Sequence, residues 1–339
     1  MRQNAVLPIA RIFACALLMF FVSGCVTNVL DVENRSEQPI STELRNEMQR
    51  KGMSGSDPIL IRIFKQESEL EVWKKDNTGR YALLKTYPMC RWSGKLGPKK
   101  RDGDRQAPEG IYHVSSSMLN PNSKYFLSFD LGYPNRLEKA LGYTGNALMV
   151  HGACSSSGCF ALTDEGVAEI YALARDALRG GQPEFQVQSF PFRMTPRNLA
   201  KYRDDDNYGF WTDLKAGHDL FEATRLTPKV SLCGGRYVFN TEFPYGEPKD
   251  PLDPCPAVNG RMNSVASMKT EADPTAVEQM LGSNAGPAPH AYVDGGMHPV
   301  FRKLLAEKGA DVLASRASID AVPVSRPRAA LADTHTEDE

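Results

Sequence analysis

An excess of charge of either sign is missing from this 339-residue chain, because 40 Lys and Arg against 41 Asp and Glu leave a formal net charge of −1. Nucleic-acid binding calls for a basic face, so nucleic acid is not an expected partner. A stable bilayer span is missing too. The apolar run from Ile12 to Val22 has only eleven residues, against the roughly 20 that a spanning helix needs. The 41% of hydrophobic residues is ample for one sizeable folded domain with additions.

What is present centres on residues 150–166, Val-His-Gly-Ala-Cys-Ser-Ser-Ser-Gly-Cys-Phe-Ala-Leu-Thr-Asp-Glu-Gly. His151 and Cys159 are joined by small residues only, and such a linker can fold back and bring an imidazole to a thiol. An ordinary thiol is only a few per cent thiolate at neutral pH, so a nucleophilic Cys needs a neighbouring base or a helix N-terminus. The apolar run Ala147–Val150 is expected to deliver His151 as a strand, and a helix is expected soon after Cys159. Gly158 allows close backbone approach, so the N–H groups of Gly158 and Cys159 are candidate oxyanion donors. The competing reading is an unreactive buried Cys. A zinc site from His151, Cys154 and Cys159 lacks an evident fourth ligand. No metal or cofactor is expected. Cys159 is therefore the candidate nucleophile and His151 the candidate base and acid, with Gly158 and Gly152 as positioning residues.

His-Gly, a short serine-bearing loop and Gly-Cys resemble the YkuD-type L,D-transpeptidase catalytic domain, in its short-loop YafK-like branch of murein L,D-transpeptidases and endopeptidases. Further matching pieces are Tyr87–Cys90, Ser93–Lys99, Gly103–Tyr112, Gly132–Asn135 and Phe190–Thr195. The resemblance covers roughly residues 58–250. The broader family carries Ser-His-Gly-Cys with an Arg two residues on. Here the run is Ser156-Ser157-Gly158-Cys159-Phe160-Ala161, so substrate contacts made by that His and Arg do not carry over. The resemblance implies acyl transfer on peptidoglycan stem peptides through a Cys159 thioester. It also spans L,D-endopeptidase hydrolysis of murein peptide or murein-lipoprotein bonds, with a murein-linked lipoprotein as a further partner. A non-catalytic murein-binding lipoprotein is the third reading. In the acyl-transfer reading the carbonyl of Gly152 is the expected holder of the second imidazole nitrogen.

Residues 1–25 read as a lipoprotein signal peptide: Arg2 and Arg11, the apolar run, then Val22-Ser23-Gly24-Cys25, a match to a bacterial lipobox. Cys25 is the expected lipidation site and the means of membrane attachment. Val26 after it favours, by resemblance to Gram-negative lipoprotein sorting, the outer membrane facing the periplasm.

The remaining chain divides as a tether over 26–57 with a short helix over Glu43–Lys51, a catalytic domain over 58–195, an extension over 196–256 and a mostly disordered tail over 257–339, with a short helix near Phe301–Ala314. The expected fold class is mainly β with helices (α+β), a β-sandwich with an appended helical segment. Strands are expected over 59–64, 70–73, 81–87, 111–114, 125–129, 147–150, 185–190 and 236–240. His113 points away from the face of Tyr112 and Val114 and is expected to be structural or surface-exposed. A helix with the apolar stripe Val167, Ile170, Tyr171, Ala174 and Leu178 is capped by Thr163 or Asp164 and ends at Gly180-Gly181. Five cysteines remain after Cys15 and Cys25. One free thiol plus two disulfides suits an oxidising compartment. If Cys159 is free, three connectivities of Cys90, Cys154, Cys233 and Cys255 stay open, and a Cys154–Cys159 redox pair is a rival.

Overall fold

A computed structural model describes residues 34–256 and 295–317. Residues up to Pro39 form a unit of their own, represented by a 3-10 turn at Arg35–Glu37. The expected signal peptide with Cys25, and residues 257–294 and 318–339 of the expected tail, lie outside the described residues.

The larger unit is α+β, with two five-stranded sheets and helices against them. The first sheet runs β3 (Tyr81–Pro88), β2 (Glu69–Lys75), β1 (Ile59–Phe64), β10 (Glu184–Phe190), β5 (Gly110–Ser115). Its central pair β1–β10 is parallel and its other pairs are antiparallel. The alternation in β1 has a use on both faces, since every residue of the strand is buried. Ile59, Ile61 and Ile63 join the main core, while Leu60 packs outward with Trp73, Tyr81 and Phe221. Arg62, buried on that outer side, pairs with Glu222 at 2.5 Å and lies over the Phe221 ring.

The second sheet runs β4 (Arg91–Trp92), β9 (Phe160–Ala161), β8 (Met149–His151), β7 (Ser128–Asp130), β6 (Leu119–Asn120). The sheets meet through side chains such as Phe129 and Phe185, whose rings cross edge to face at 5.6 Å. Helix α3 (Asp164–Arg179) packs on strands of both sheets. Thr163 Oγ1 accepts the Gly166 N–H and caps it, while Asp164 sits inside the first turn, buried. His113 is exposed between buried Tyr112 and Val114.

The extension supplies α4 (Pro196–Lys201), α5 (Tyr208–Thr224) and a hairpin of β11 (Val230–Cys233) and β12 (Arg236–Phe239). Trp211 of α5 is fully buried and donates to Glu109 Oε2 at 2.7 Å, a core role. Cys233 is bonded to Cys255.

Two segments differ from expectation. Residues 40–57, expected as tether, are packed instead: helix α1 (Thr42–Arg50), capped by Ser41, buries Leu44 and Met48, and Ile40 and Met53 join them in the core. The short helix expected over 43–51 is there; its packing on the core through Leu44 and Met48 is what the polar composition hid. Residues 295–317, inside the expected tail, carry the short helix expected near 301–314 as two, α6 (Pro299–Lys308) and α7 (Ala310–Ala317), and these are packed, burying Phe301, Leu305 and Leu313. The short α2 (Arg136–Ala140) follows the Asn135 cap as its sequence suggests.

Replacing Leu44 by Ala is expected to lower unfolding stability by about 2–4 kcal/mol, the cost of emptying a packed site. Urea unfolding checks it. A loss under about 0.5 kcal/mol would mean that α1 is only a tether.

Candidate active site

The site is built where β8 and β9 run parallel. Their register pairs Val150 with Phe160 and His151 with Ala161. One residue further back, Cys159 lies beside Met149, and the Met149 N–H reaches its sulfur at 3.4 Å. Side chains alternate along a strand, so Val150 and Phe160 point into the core while Met149, His151 and Cys159 share the other face. Diagonal neighbours of this kind have Cα atoms roughly 7–8 Å apart, within reach of an imidazole and a thiol. The sequence-predicted pair is thus brought to one face at adjacent strand ends. In this state the two are not hydrogen-bonded to each other. The sulfur contacts Met149 N–H and the Ala147 carbonyl, at 3.8 Å.

His151 begins as the last residue of β8 rather than after it, because Ala147, in the left-handed region at φ 53°, delays the strand start to Met149. Its Nδ1 lies 2.6 Å from the Gly152 carbonyl oxygen. A carbonyl only accepts, so Nδ1 carries the proton and Nε2 keeps its lone pair. Burial lowers the His151 pKa to about 4. Cys159 is the free cysteine and is partly exposed. Burial of its sulfur and the charge of Asp130 push the thiol pKa up, opposed by the Met149 N–H and Lys99. Both shifts favour a neutral thiol beside a neutral imidazole at rest.

The loop between them is held at every turn. Gly152 donates to the Tyr125 carbonyl at 3.0 Å, and a Cβ there would lie 2.5 Å from Asp164 Oδ1. Ala153 and Cys154 both take positive φ, and the Ala153 N–H is captured by Asp164 Oδ1 at 2.7 Å. Cys154 is bonded to Cys90. That selects one of the three open connectivities and removes Cys154 both as a metal ligand and as a redox partner of Cys159. Ser156, buried, donates to the Cys159 carbonyl at 2.7 Å. Gly158, at φ 125°, turns its N–H toward Ser156 Oγ at 3.4 Å, a long contact for one of the two candidate oxyanion donors.

The chain is similar to known proteins over the part that holds this site. Residues 58–180 match the YkuD family, the L,D-transpeptidase catalytic domain. YafK of Escherichia coli K12, named as a candidate L,D-transpeptidase, is 42% identical over 203 residues, which is 60% of this chain and 80% of that protein. Its counterpart in E. coli O157:H7 aligns identically. The chain belongs to the L,D-transpeptidase family. Among solved structures, the helical cell shape determining protein Pgp2 of Campylobacter jejuni superposes with TM-score 0.34 and 17% identity, over 69% of this chain and 77% of that one. Bd1075 of Bdellovibrio bacteriovorus gives 0.29 and 17%, over 51% and 76%. Superpositions at these scores bear on nothing beyond themselves.

Several residues that shape this candidate site were not singled out by sequence. The strand expected over 125–129 begins only at Ser128, because Phe126 turns into the left-handed region at φ 70°. That turn lays the Tyr125 ring over His151, with centroids 4.7 Å apart, while leaving Tyr125 41% exposed. Asp164 read only as a cap candidate, yet its carboxylate holds the loop. A second wall is pinned from behind by Lys65, whose ammonium is buried among the carbonyls of Lys95, Gly97 and Ala107 and pairs with Glu109 at 2.8 Å. The Gln106 carbonyl of that wall lies 3.6 Å from where a Cβ on Gly158 would stand.

Alkylation of Cys159 by iodoacetamide should keep accelerating past pH 9, because a raised thiol pKa delays the thiolate beyond its ordinary range. A rate plateau reached between pH 6 and 7 would instead reveal a resting thiolate–imidazolium pair.

Proposed function

We propose that this protein is a cysteine acyl transferase that acts on peptidoglycan stem peptides through a thioester on Cys159. The observation that carries the reading is the orientation of His151: Nδ1–H is tied to the Gly152 carbonyl, so the basic nitrogen is left for the thiol. A binding module has no need of a free thiol and an unprotonated imidazole on one strand face.

The chemistry follows from the resting charges. With the thiol pKa raised and the imidazole lowered to about 4, the proton stays on sulfur until a substrate carbonyl arrives. Cys159 Sγ then attacks the carbonyl of the L-centre in an L–D peptide bond as His151 Nε2 takes the proton. The N–H groups of Gly158 and Cys159 face the developing oxyanion, each contributing on the order of 3 kcal/mol. For Gly158 this requires letting go of Ser156 Oγ, a small cost at 3.4 Å. The imidazolium returns its proton to the leaving amine, and Sγ is left acylated. An amine from a second stem peptide completes transpeptidation. Water completes the endopeptidase reaction, which includes release of a murein-linked lipoprotein. The enzyme works in the periplasm, held by lipid on Cys25, with the outer membrane as the favoured membrane.

A carbapenem offers the thiol an activated acyl group without needing an acceptor. Intact mass should show one covalent adduct, absent from Cys159→Ala, and His151→Ala should slow its formation by about 10²–10⁴-fold. An adduct that persists in Cys159→Ala would refute the nucleophile. Digestion of purified sacculi then separates the two fates of the acyl-enzyme, new cross-links for an amine acceptor and shortened stems for water.

Metabolic labelling with palmitate should mark the full-length protein and leave Cys25→Ala unmarked; an unlabelled wild type would remove the lipid anchor.

A further inference from the structure

The return from His151 to Phe160 has one covalent fastening outside the peptide chain, the bond from Cys154 to Cys90. Cys154 sits at the far bend of the loop, next to Ala153, and both take positive φ, a conformation that only Gly adopts freely. Cys90 is not a neighbour by chance. Its N–H donates to the Ala161 carbonyl at 3.0 Å, so it stands across β9 from the loop. The disulfide therefore ties the loop between His151 and Cys159 to the residue that leads into β4, the strand paired with β9.

Both cysteines are fully buried, and what buries them is remote in sequence. Met297, Phe301, Leu305 and Leu313 form one apolar cluster with Cys90 and Cys154. The segment that carries them grips the chain on either side of Cys90. Gly296 pairs with Trp92 in both directions at 3.1 Å, and the His298 N–H donates to the Met89 carbonyl at 3.0 Å. The closeness is built in: a Cβ on Gly296 would lie 2.7 Å from Trp92 Nε1. The segment lies beyond the 58–180 span of the catalytic-domain match.

We propose that the Cys90–Cys154 bond and the 295–317 segment form one positioning device. The bond holds the loop so that His151 and Cys159 stay on a common face, and the two C-terminal helices keep thiol reductants from the bond. The bond part rests on the acyl-transfer reading above. The cover part does not.

Reduction of the bond takes two electrons and two protons from an external dithiol, which closes to its own disulfide. Full-chain protein is treated with dithiothreitol, and the consumption of Cys90–Cys154 is followed by mass after alkylation. Phe301→Ala/Leu305→Ala should lose the bond at least tenfold faster than wild type. Equal rates would overturn the cover. For the bond, Cys90→Ala/Cys154→Ala is compared with wild type in two reactions of Cys159. Carbapenem acylation needs an oriented base and should slow tenfold or more, while iodoacetamide alkylation needs only the thiol and should change less than twofold. Cys233→Ala/Cys255→Ala is the control and should leave acylation within twofold. Acylation unchanged in a folded Cys90→Ala/Cys154→Ala protein would overturn the positioning role.

If that variant does not fold, the dithiothreitol-treated Phe301→Ala/Leu305→Ala protein is compared with itself before treatment, and the same tenfold loss is expected. If wild type forms no carbapenem adduct, the acyl-transfer reading fails by itself. The bond's hold is then read from amide hydrogen exchange over 152–159, where at least tenfold faster exchange in Cys90→Ala/Cys154→Ala supports it and unchanged exchange overturns it.

Discussion

Parallel strands that are neighbours in a sheet usually need a crossover of a dozen or more residues. Here β8 returns to the start of β9 through residues 152–159 alone. The rest of the site depends on that short return. A chain this brief can reverse only by spending residues in the left-handed region, which Ala153, Cys154 and Gly158 do. Two of these are not glycine, so their conformations persist only because surrounding contacts over-determine them. Asp164, the Leu162 carbonyl, Ser156 and the disulfide supply those contacts. The gain is geometric. The same register that forces the tight return puts a thiol and an imidazole on one face, two residues apart along adjacent strands.

The electrostatics point the same way. Taking an imidazole out of water penalises its charged form, and taking a thiol out of water penalises the thiolate. Nothing nearby compensates fully, since the Asp130 charge works against the thiolate while Lys99 favours it. The helix N-terminus after Cys159 adds little, because Asp164 places a carboxylate in its first turn. A neutral resting pair is the consequence. Buried Lys65 is the opposite case. Its ammonium keeps its place because three carbonyls and the Glu109 carboxylate replace the water it lost, and Glu109 is satisfied in turn by the Gly97 and Trp211 N–H groups. Removing one partner of such a pair costs far more than the pair contributes. The loop over 95–109 is held in place by that asymmetry.

Much of this was legible beforehand. The alternation of 59–64, the stripe of 164–179 and the cap at Thr163 are local patterns, and local periodicity reports local structure. The His151–Cys159 pair was legible because only small residues separate the two. The tether reading of 40–57 misled because average polarity masks a single buried stripe of Leu44 and Met48. The strand expected at 125 failed at Phe126, where a backbone turn imposed by the neighbouring loop overrides β-propensity.

Sequence alone determined most of the strands and helices, and which two side chains are the candidates for the chemistry, because both are written in spacing along the chain. Tertiary structure decided the rest: Cys90 rather than Cys159 as the partner of Cys154, Tyr125 over the imidazole, Asp164 beneath the loop, and the 295–317 helices over the disulfide. Each of these joins residues that become neighbours only once the strand order β4-β9-β8-β7 is set. Strand order is a property of long-range packing, and no window of sequence contains it.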